Sequence, residues 1–355
     1  MRIAISTGGG DAPGLNAVIR ATVLTAVHRG WECFGIKRGF GSLLGESDLM
    51  PLGPNDVRGI THLGGTILGT SSRGNPLKWR TKQPDGTWEE HDRSEELLAT
   101  FRARRLDALI AIGGEGTLGI VLDLFKKGLP VVGVPKTIDN DVAGTAATFG
   151  FDTAVATATD AIDKVHTTAE SHERVMVVEV MGRHAGFIAL NAGVAGSADV
   201  ILIPEIPFDI DRVCEKIRRR EAEGRHFSVV VAAEGALPKG GTVSLIDPEH
   251  ERLGGIADKV AHSIQEMTGK ETRSLVLGHL QRGGSPTTFD RLLGLRFGAA
   301  AVRLIAEGKF GHMVALDPPR ITAVPLADAL ATPRRVSIDS DTIATARELG
   351  TSFGD

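Results

Sequence analysis

The sequence predicts an α/β fold on mainly parallel sheets, and three observations carry that reading. Short apolar runs alternate with segments of helical spacing along the chain. Gly-rich segments stand where a strand hands over to a helix. Glycine itself is abundant, at 44 of 355 residues, with no collagen period and no low-complexity run. That is well above the typical ~7%, and such glycines mark sharp turns where backbone approaches a ligand.

In chain order, Ile3-Ala4-Ile5 is an apolar strand, Gly8 to Gly14 a loop, and Asn16 to His28 a helix. Residues 74–93 are polar around Pro84-Asp85-Gly86 and predict a surface hairpin. Ser94-Glu95-Glu96 starts a helix that runs from Leu97 to Arg104, and Ala108 to Ile112 is a buried strand. Gly113 to Thr117 then turns into a helix through Lys127, and Val131 to Val134 is a second buried strand. A further βα series has strands at Val175 to Val180, Val200 to Ile203 and Val229 to Ala233. Ile210 to Glu223 is a charged helix whose Arg218-Arg219-Arg220 run reads as a solvated face. Ligands in such folds bind beyond the carboxyl ends of strands, where each Gly-rich segment falls.

The length fits two ordinary domains or one large one. A net charge of −4 argues against nucleic-acid binding through bulk positive charge. No apolar stretch nears the roughly 18 residues of a membrane span. The opening Met-Arg-Ile-Ala-Ile-Ser lacks a secretory pattern. Cys33 and Cys214 lie far apart, form no metal-ligand spacing and suit a reducing cytoplasm.

Three segments carry chemistry. Gly8-Gly9-Gly10-Asp11 is a strand-to-helix turn whose backbone N–H groups suit phosphate, although a plain tight turn has the same composition. The dinucleotide spacing is broken by Pro13, which disfavours a nicotinamide dehydrogenase. Gly113-Gly114-Glu115-Gly116-Thr117 adds a carboxylate, and Glu115 is the candidate ligand for Mg²⁺ carried on a polyphosphate. In Lys136-Thr137-Ile138-Asp139-Asn140-Asp141, extended backbone would point both aspartates one way and Asn140 the other. One could then take a proton while the other orients or holds metal.

These segments occur in order, followed by Glu179-Val180-Met181-Gly182-Arg183 and Gly278-His279-Leu280-Gln281-Arg282-Gly283-Gly284. Together they resemble the 6-phosphofructokinase family over nearly the whole chain. The resemblance implies that Asp139 takes the proton from the sugar 1-hydroxyl and that Thr137 supports the incoming phosphoryl group. Gly10, Arg73 and Arg183 would sit at the transferring group, and Gly113, Gly114, Glu115, Gly116, Thr117 and Lys136 beside the donor. Asp141, Arg174, Met181, Gly182, Glu234, Arg273, His279 and Arg282 would contact fructose 6-phosphate. Without the resemblance, His279 between Leu277 and Leu280 reads as a core histidine.

The resemblance further implies two doubly wound domains with the active site in the cleft between them. Residues 1–149 and 281–331 would hold the donor, and residues 150–280 and 332–355 the sugar phosphate. It implies Mg²⁺ dependence, a cytoplasmic location and a homo-oligomer, foremost a tetramer, in which Arg174 and Arg273 reach a neighbour's sugar phosphate. Gly116 matches the ATP-using branch, because a side chain there would crowd the α-phosphate. Lys136 matches the pyrophosphate-using branch. Sterics rank above a flexible lysine, so ATP is the expected donor and pyrophosphate the alternative. A non-catalytic regulatory subunit is the other rival. Arg20 matches one basic effector residue, whereas Leu24 and Gly224-Arg225-His226 depart from the pattern, which implies weak allosteric control.

Overall fold

The computed structural model describes residues 1–45, 47–71, 74–247 and 252–355. The chain forms two compact units, residues 1–137, 142–150 and 282–333, and residues 138–141, 151–281 and 334–355.

The first unit is built on one sheet. Its strands run Arg320–Pro325, His312–Asp317, Val131–Thr137, Ala108–Gly113, Arg2–Thr7, Glu32–Ile36 and Met50–Leu52. The five central strands are parallel, and the two outer ones are antiparallel. Phe149–Gly150 pairs in parallel with the end of Val131–Thr137. Because side chains alternate across a strand, Ile3, Ile5, Ile110, Ile112, Val132 and Val134 enter one core. Ala4, Leu109, Ala111 and Val131 enter the core on the other face. Helices Leu15–His28 and Thr288–Ala306 supply the first core, and Ser94–Ala103 and Glu115–Lys126 the second. The expected hairpin pairs Trp79–Lys82 with Trp88–His91.

The second unit has four parallel strands in the order Val200–Leu202, Ser228–Ala233, Val175–Val180 and Thr272–Val276. Helices Ile210–Ala222 and Ile256–Thr268 cover one face through Val213, Ile217, Val260 and Ile264. Helices Phe151–His172 and Phe187–Ala195 cover the other. Each unit is thus wound on both faces of a mainly parallel sheet.

One reading is corrected here. Arg218-Arg219-Arg220 is not uniformly solvated, because Arg220 is buried and its Nη1 lies 2.7 Å from Asp199 Oδ1. Its guanidinium also donates to Ser228 Oγ and the Phe227 carbonyl. A charge buried this deeply needs such partners.

Candidate active site

In the first unit two Gly-rich loops follow the adjacent parallel strands Arg2–Thr7 and Ala108–Gly113, and glycines let them approach closely. The Gly8 N–H donates to the Ile112 carbonyl at 2.9 Å, and the Gly9 N–H to the Ser71 carbonyl at 3.0 Å. The expectation that this whole loop offers amides to phosphate therefore narrows to Gly10 and Asp11, whose N–H groups have no partner among the described residues. Thr117 is buried between Gly8 and Gly113, and a Cβ on either glycine would collide with it. Thr117 is thus the packing link between the two glycine loops.

Helix Glu115–Lys126 starts from an extended Gly114, so the N–H groups of its first turn have no helical partner. Glu115 is exposed in that turn. Gly116 differs from its neighbours, because a Cβ there would meet nothing within 4 Å and its φ is ordinary. Neither packing nor backbone conformation demands glycine at this position. A cavity of about 310 Å³ opens beside it, lined by Gly8, Gly9, Phe40, Asn75, Gly116 and Ile120 among others. That lies at the small end of ligand-pocket volumes.

Lys136 is buried and donates through Nζ to the Gly10 carbonyl. Arg282 donates through Nη1 to the Asp11 carbonyl at 3.1 Å, and a Cβ on Gly10 would approach that nitrogen to 2.7 Å. Two cations therefore hold the Gly10-Asp11 turn, one of them a residue expected on the sugar side. Arg73 lies outside the described residues.

Past Thr137 the chain does not stay extended. Asn140 has φ 55°, a left-handed conformation that asparagine tolerates. The expected alternation of Asp139, Asn140 and Asp141 across a strand is replaced by a turn, and Asn140 is buried. Both aspartates are half-buried. Asp141 Oδ1 is buried with no hydrogen-bond partner among the described residues, and the Asp141 carbonyl accepts from the Arg334 N–H at 2.8 Å. A carboxylate oxygen left this way suits a ligand donor or cation.

In the second unit Met181, Gly182 and Arg183 follow the strand Val175–Val180, and Glu234 follows Ser228–Ala233. The Glu234 N–H donates to the Val180 carbonyl at 2.8 Å, and the Gly235 N–H to the Gly182 carbonyl at 3.1 Å. A Cβ on Gly235 would collide with the Arg183 carbonyl, so glycine is required where these loops touch. His279 is exposed, which overturns its reading as a core histidine. It follows the adjacent strand Thr272–Val276 at the same end of the sheet. Gln281 is fully buried, accepts from the Met181 N–H at 3.3 Å and donates to the Gly278 carbonyl at 3.2 Å. Sequence reasoning passed over this positioning role, although Gln281 stood inside a recognised motif.

Arg174 and Arg273 lie elsewhere. Arg174 precedes Val175–Val180, and Arg273 stands at the start of Thr272–Val276. Both pair with Glu271, at 2.9 and 2.6 Å, and hold its carboxyl below the usual range, Arg174 most strongly. Six residues of extended chain separate Arg174 from Met181, roughly 20 Å at the rise of a strand. The two sets occupy opposite ends of one sheet.

Among the described residues no three His, Cys, Asp or Glu side chains cluster to cage a metal ion. Magnesium rarely uses such a cage; it keeps waters and binds through one or two carboxylates plus phosphates. Exposed Glu115, in the first turn of its helix, fits that mode.

The phosphofructokinase family model matches residues 2–305. An ATP-dependent 6-phosphofructokinase of Chloroflexus aggregans is 54% identical over 354 residues, 100% of this chain and 98% of that protein. A pyrophosphate–fructose 6-phosphate 1-phosphotransferase of Amycolatopsis methanolica is 53% identical over 338 residues, 93% of this chain and 95% of that one. The solved phosphofructokinase of Saccharomyces cerevisiae matches with a TM-score of 0.78 at 31% identity, over 98% of this chain and 47% of the yeast chain.

Proposed function

The chain belongs to the phosphofructokinase family, and we propose that it transfers the γ-phosphoryl group of ATP to the 1-hydroxyl of fructose 6-phosphate. The observation that carries the choice of donor is Gly116, where the fold leaves space that nothing in the protein requires. Such a transfer depends on positioning and charge neutralisation. In this reading the first unit holds the donor, with the Gly10 N–H and Thr137 at the transferring group and Arg73 and Arg183 offsetting its charge. Asp139 accepts the hydroxyl proton. Glu115 holds Mg²⁺, which when bound neutralises phosphate charge, and Asp141 lies with the sugar phosphate. Met181, Gly182, Glu234, His279 and Arg282 hold the sugar phosphate. Arg174 and Arg273 act on the site of a second copy, so the working form is a homo-oligomer, proposed as a tetramer in the cytoplasm.

Lys136 supports a second reading, pyrophosphate as donor, in line with the name of the Amycolatopsis relative. Its ammonium is buried at the Gly10 turn. The test is turnover of fructose 6-phosphate by purified protein with Mg²⁺ and either donor, read as fructose 1,6-bisphosphate. Turnover with pyrophosphate and not ATP rejects the first reading; failure with both supports the regulatory-subunit rival.

A further inference from the structure

A second cavity, of about 340 Å³, lies wholly within the second unit between helix Ile210–Ala222 and the chain after helix Asp341–Glu348. Arg212, Lys216 and Arg219 line it from one face of the first helix, spaced i, i+4, i+7. Arg347, Thr351 and Ser352 line it from the other side. It shares no residue with the site described above, nor with Arg20 or residues 224–226.

We propose that this cavity binds a phosphate dianion, either free or as the head of a small phosphomonoester. Four cations line it against two carboxylates, Glu215 and Asp355, on a chain whose net charge is −4. Arg212 is paired with Glu215 at 3.0 Å, and Arg347 is paired with Asp355. The side chains of Lys216 and Arg219 have no hydrogen bond or ion pair among the described residues. An arginine fork beside a lysine is the donor set that phosphate recognition uses. Ser352 Oγ accepts from the Gly354 N–H at 3.1 Å, which leaves its O–H to donate.

The cavity is preformed. The Ser352 N–H donates to the Asp199 carbonyl at 3.0 Å and the Ile201 N–H to the Ser352 carbonyl at 2.9 Å, which pins this wall to the sheet edge. The Thr351 hydroxyl donates to the Ala198 carbonyl at 3.0 Å. Burial pushes the Lys216 ammonium below the usual lysine range, with Asp199 opposing that shift; a bound dianion would raise it again. The small volume favours a compact anion, and the acidic chain as a whole repels an extended polyanion.

The test is calorimetric titration at constant ionic strength, with inorganic phosphate in one arm and glycerol 1-phosphate in the other. The proteins are wild type, the Lys216→Ala/Arg219→Ala double variant, Lys216→Gln, and Arg218→Ala. Arg218 is a control because it lies on the same helix, outside the cavity, and donates to the Met267 carbonyl. Anion binding at the active site is common to all four proteins. Wild type and Arg218→Ala are expected to show an additional binding event that weakens about tenfold or more in the other two. Stronger binding of phosphate points to the free ion, and stronger binding of the ester to a phosphorylated metabolite. Superimposable isotherms, or equal weakening in Arg218→Ala, overturn the proposal. Lys216→Gln preserves the test if the double variant does not fold.

Discussion

Replacing Gly116 with aspartate separates donor recognition from folding. A Cβ at this position meets nothing within 4 Å, and the backbone is in an ordinary helical conformation. Aspartate has a slightly better helix propensity than glycine, worth about 0.3 kcal/mol, and an acidic group in the first turn adds about 0.3–1 kcal/mol. Gly116→Asp should therefore melt at the same temperature as wild type or slightly higher. Against ATP, the new carboxylate would face the α-phosphate. Two unit charges at about 4 Å and an effective dielectric constant near 20 repel by about 4 kcal/mol. Partial screening makes a fall in kcat/KM of roughly 10²–10³ the expected result. Pyrophosphate has no α-phosphate or nucleoside to accommodate, so any activity with it should persist or rise. The assay is steady-state turnover with each donor, beside a thermal melt of the same preparation. A folded Gly116→Asp enzyme whose kcat/KM for ATP stays within about threefold of wild type would refute the steric argument and return the donor question to Lys136.

Three other perturbations test separate parts of the account. Asp139→Asn keeps the side-chain volume but removes the proton acceptor, so kcat should fall by roughly 10²–10⁴ with substrate binding retained; near-native kcat removes Asp139 from that role. Arg220→Met leaves Asp199 buried without its cation and should cost about 3–5 kcal/mol in urea denaturation, with much of the loss recovered in Asp199→Asn/Arg220→Met. Burial pushes the Cys33 thiol from the ordinary 9.0 up to about 12. Native protein at pH 8 should therefore resist alkylation at Cys33, as read by mass spectrometry. Because the folded value is raised, the Cys33 contribution to stability is complete below pH 9.0 and is lost as pH climbs towards about 12.

The strands most visible in the sequence were those buried on both faces, since Ala108 to Ile112 and Val131 to Val134 are unbroken apolar runs. The glycine loops were equally visible, because composition marks a turn wherever it lies. Helix Phe151–His172 was not identified, although at 22 residues it is the longest among the described residues. Its buried residues are Thr153, Ala154, Ala158, Ile162, Val165 and Ala169, mostly small. Further alanines and threonines such as Ala156, Thr157 and Ala161 lie between them, so no bulky apolar stripe marks the face. Arg220 was misread because its partner Asp199 is distant in sequence, and a charge run says nothing about long-range pairing. The turn at Asn140 was misread for a local reason: spacing arguments assume regular backbone, and one left-handed residue cancels them. His279 between leucines shows the same weakness, since Leu280 is itself 69% exposed.

The separation of Arg174 and Arg273 from Met181 and Glu234 leads to a prediction about assembly. In one chain the two sets lie at opposite ends of the same four-stranded sheet, roughly 20 Å apart along a strand. No side-chain rotation brings them to one phosphate. If both sets serve the sugar phosphate, each site draws them from different copies, and defects in the two sets can complement. Arg273→Ala and Asp139→Asn should each be severely impaired alone. After subunit exchange at equal amounts, half of the pairs across a two-fold interface are mixed, and each mixed pair contains one intact site. Activity should then return to about a quarter of wild type. Native mass spectrometry would establish that mixed oligomers have formed. Mixed oligomers with no recovered activity would show that Arg273 does not complete a neighbour's site, and its pairing with Glu271 would then be purely structural.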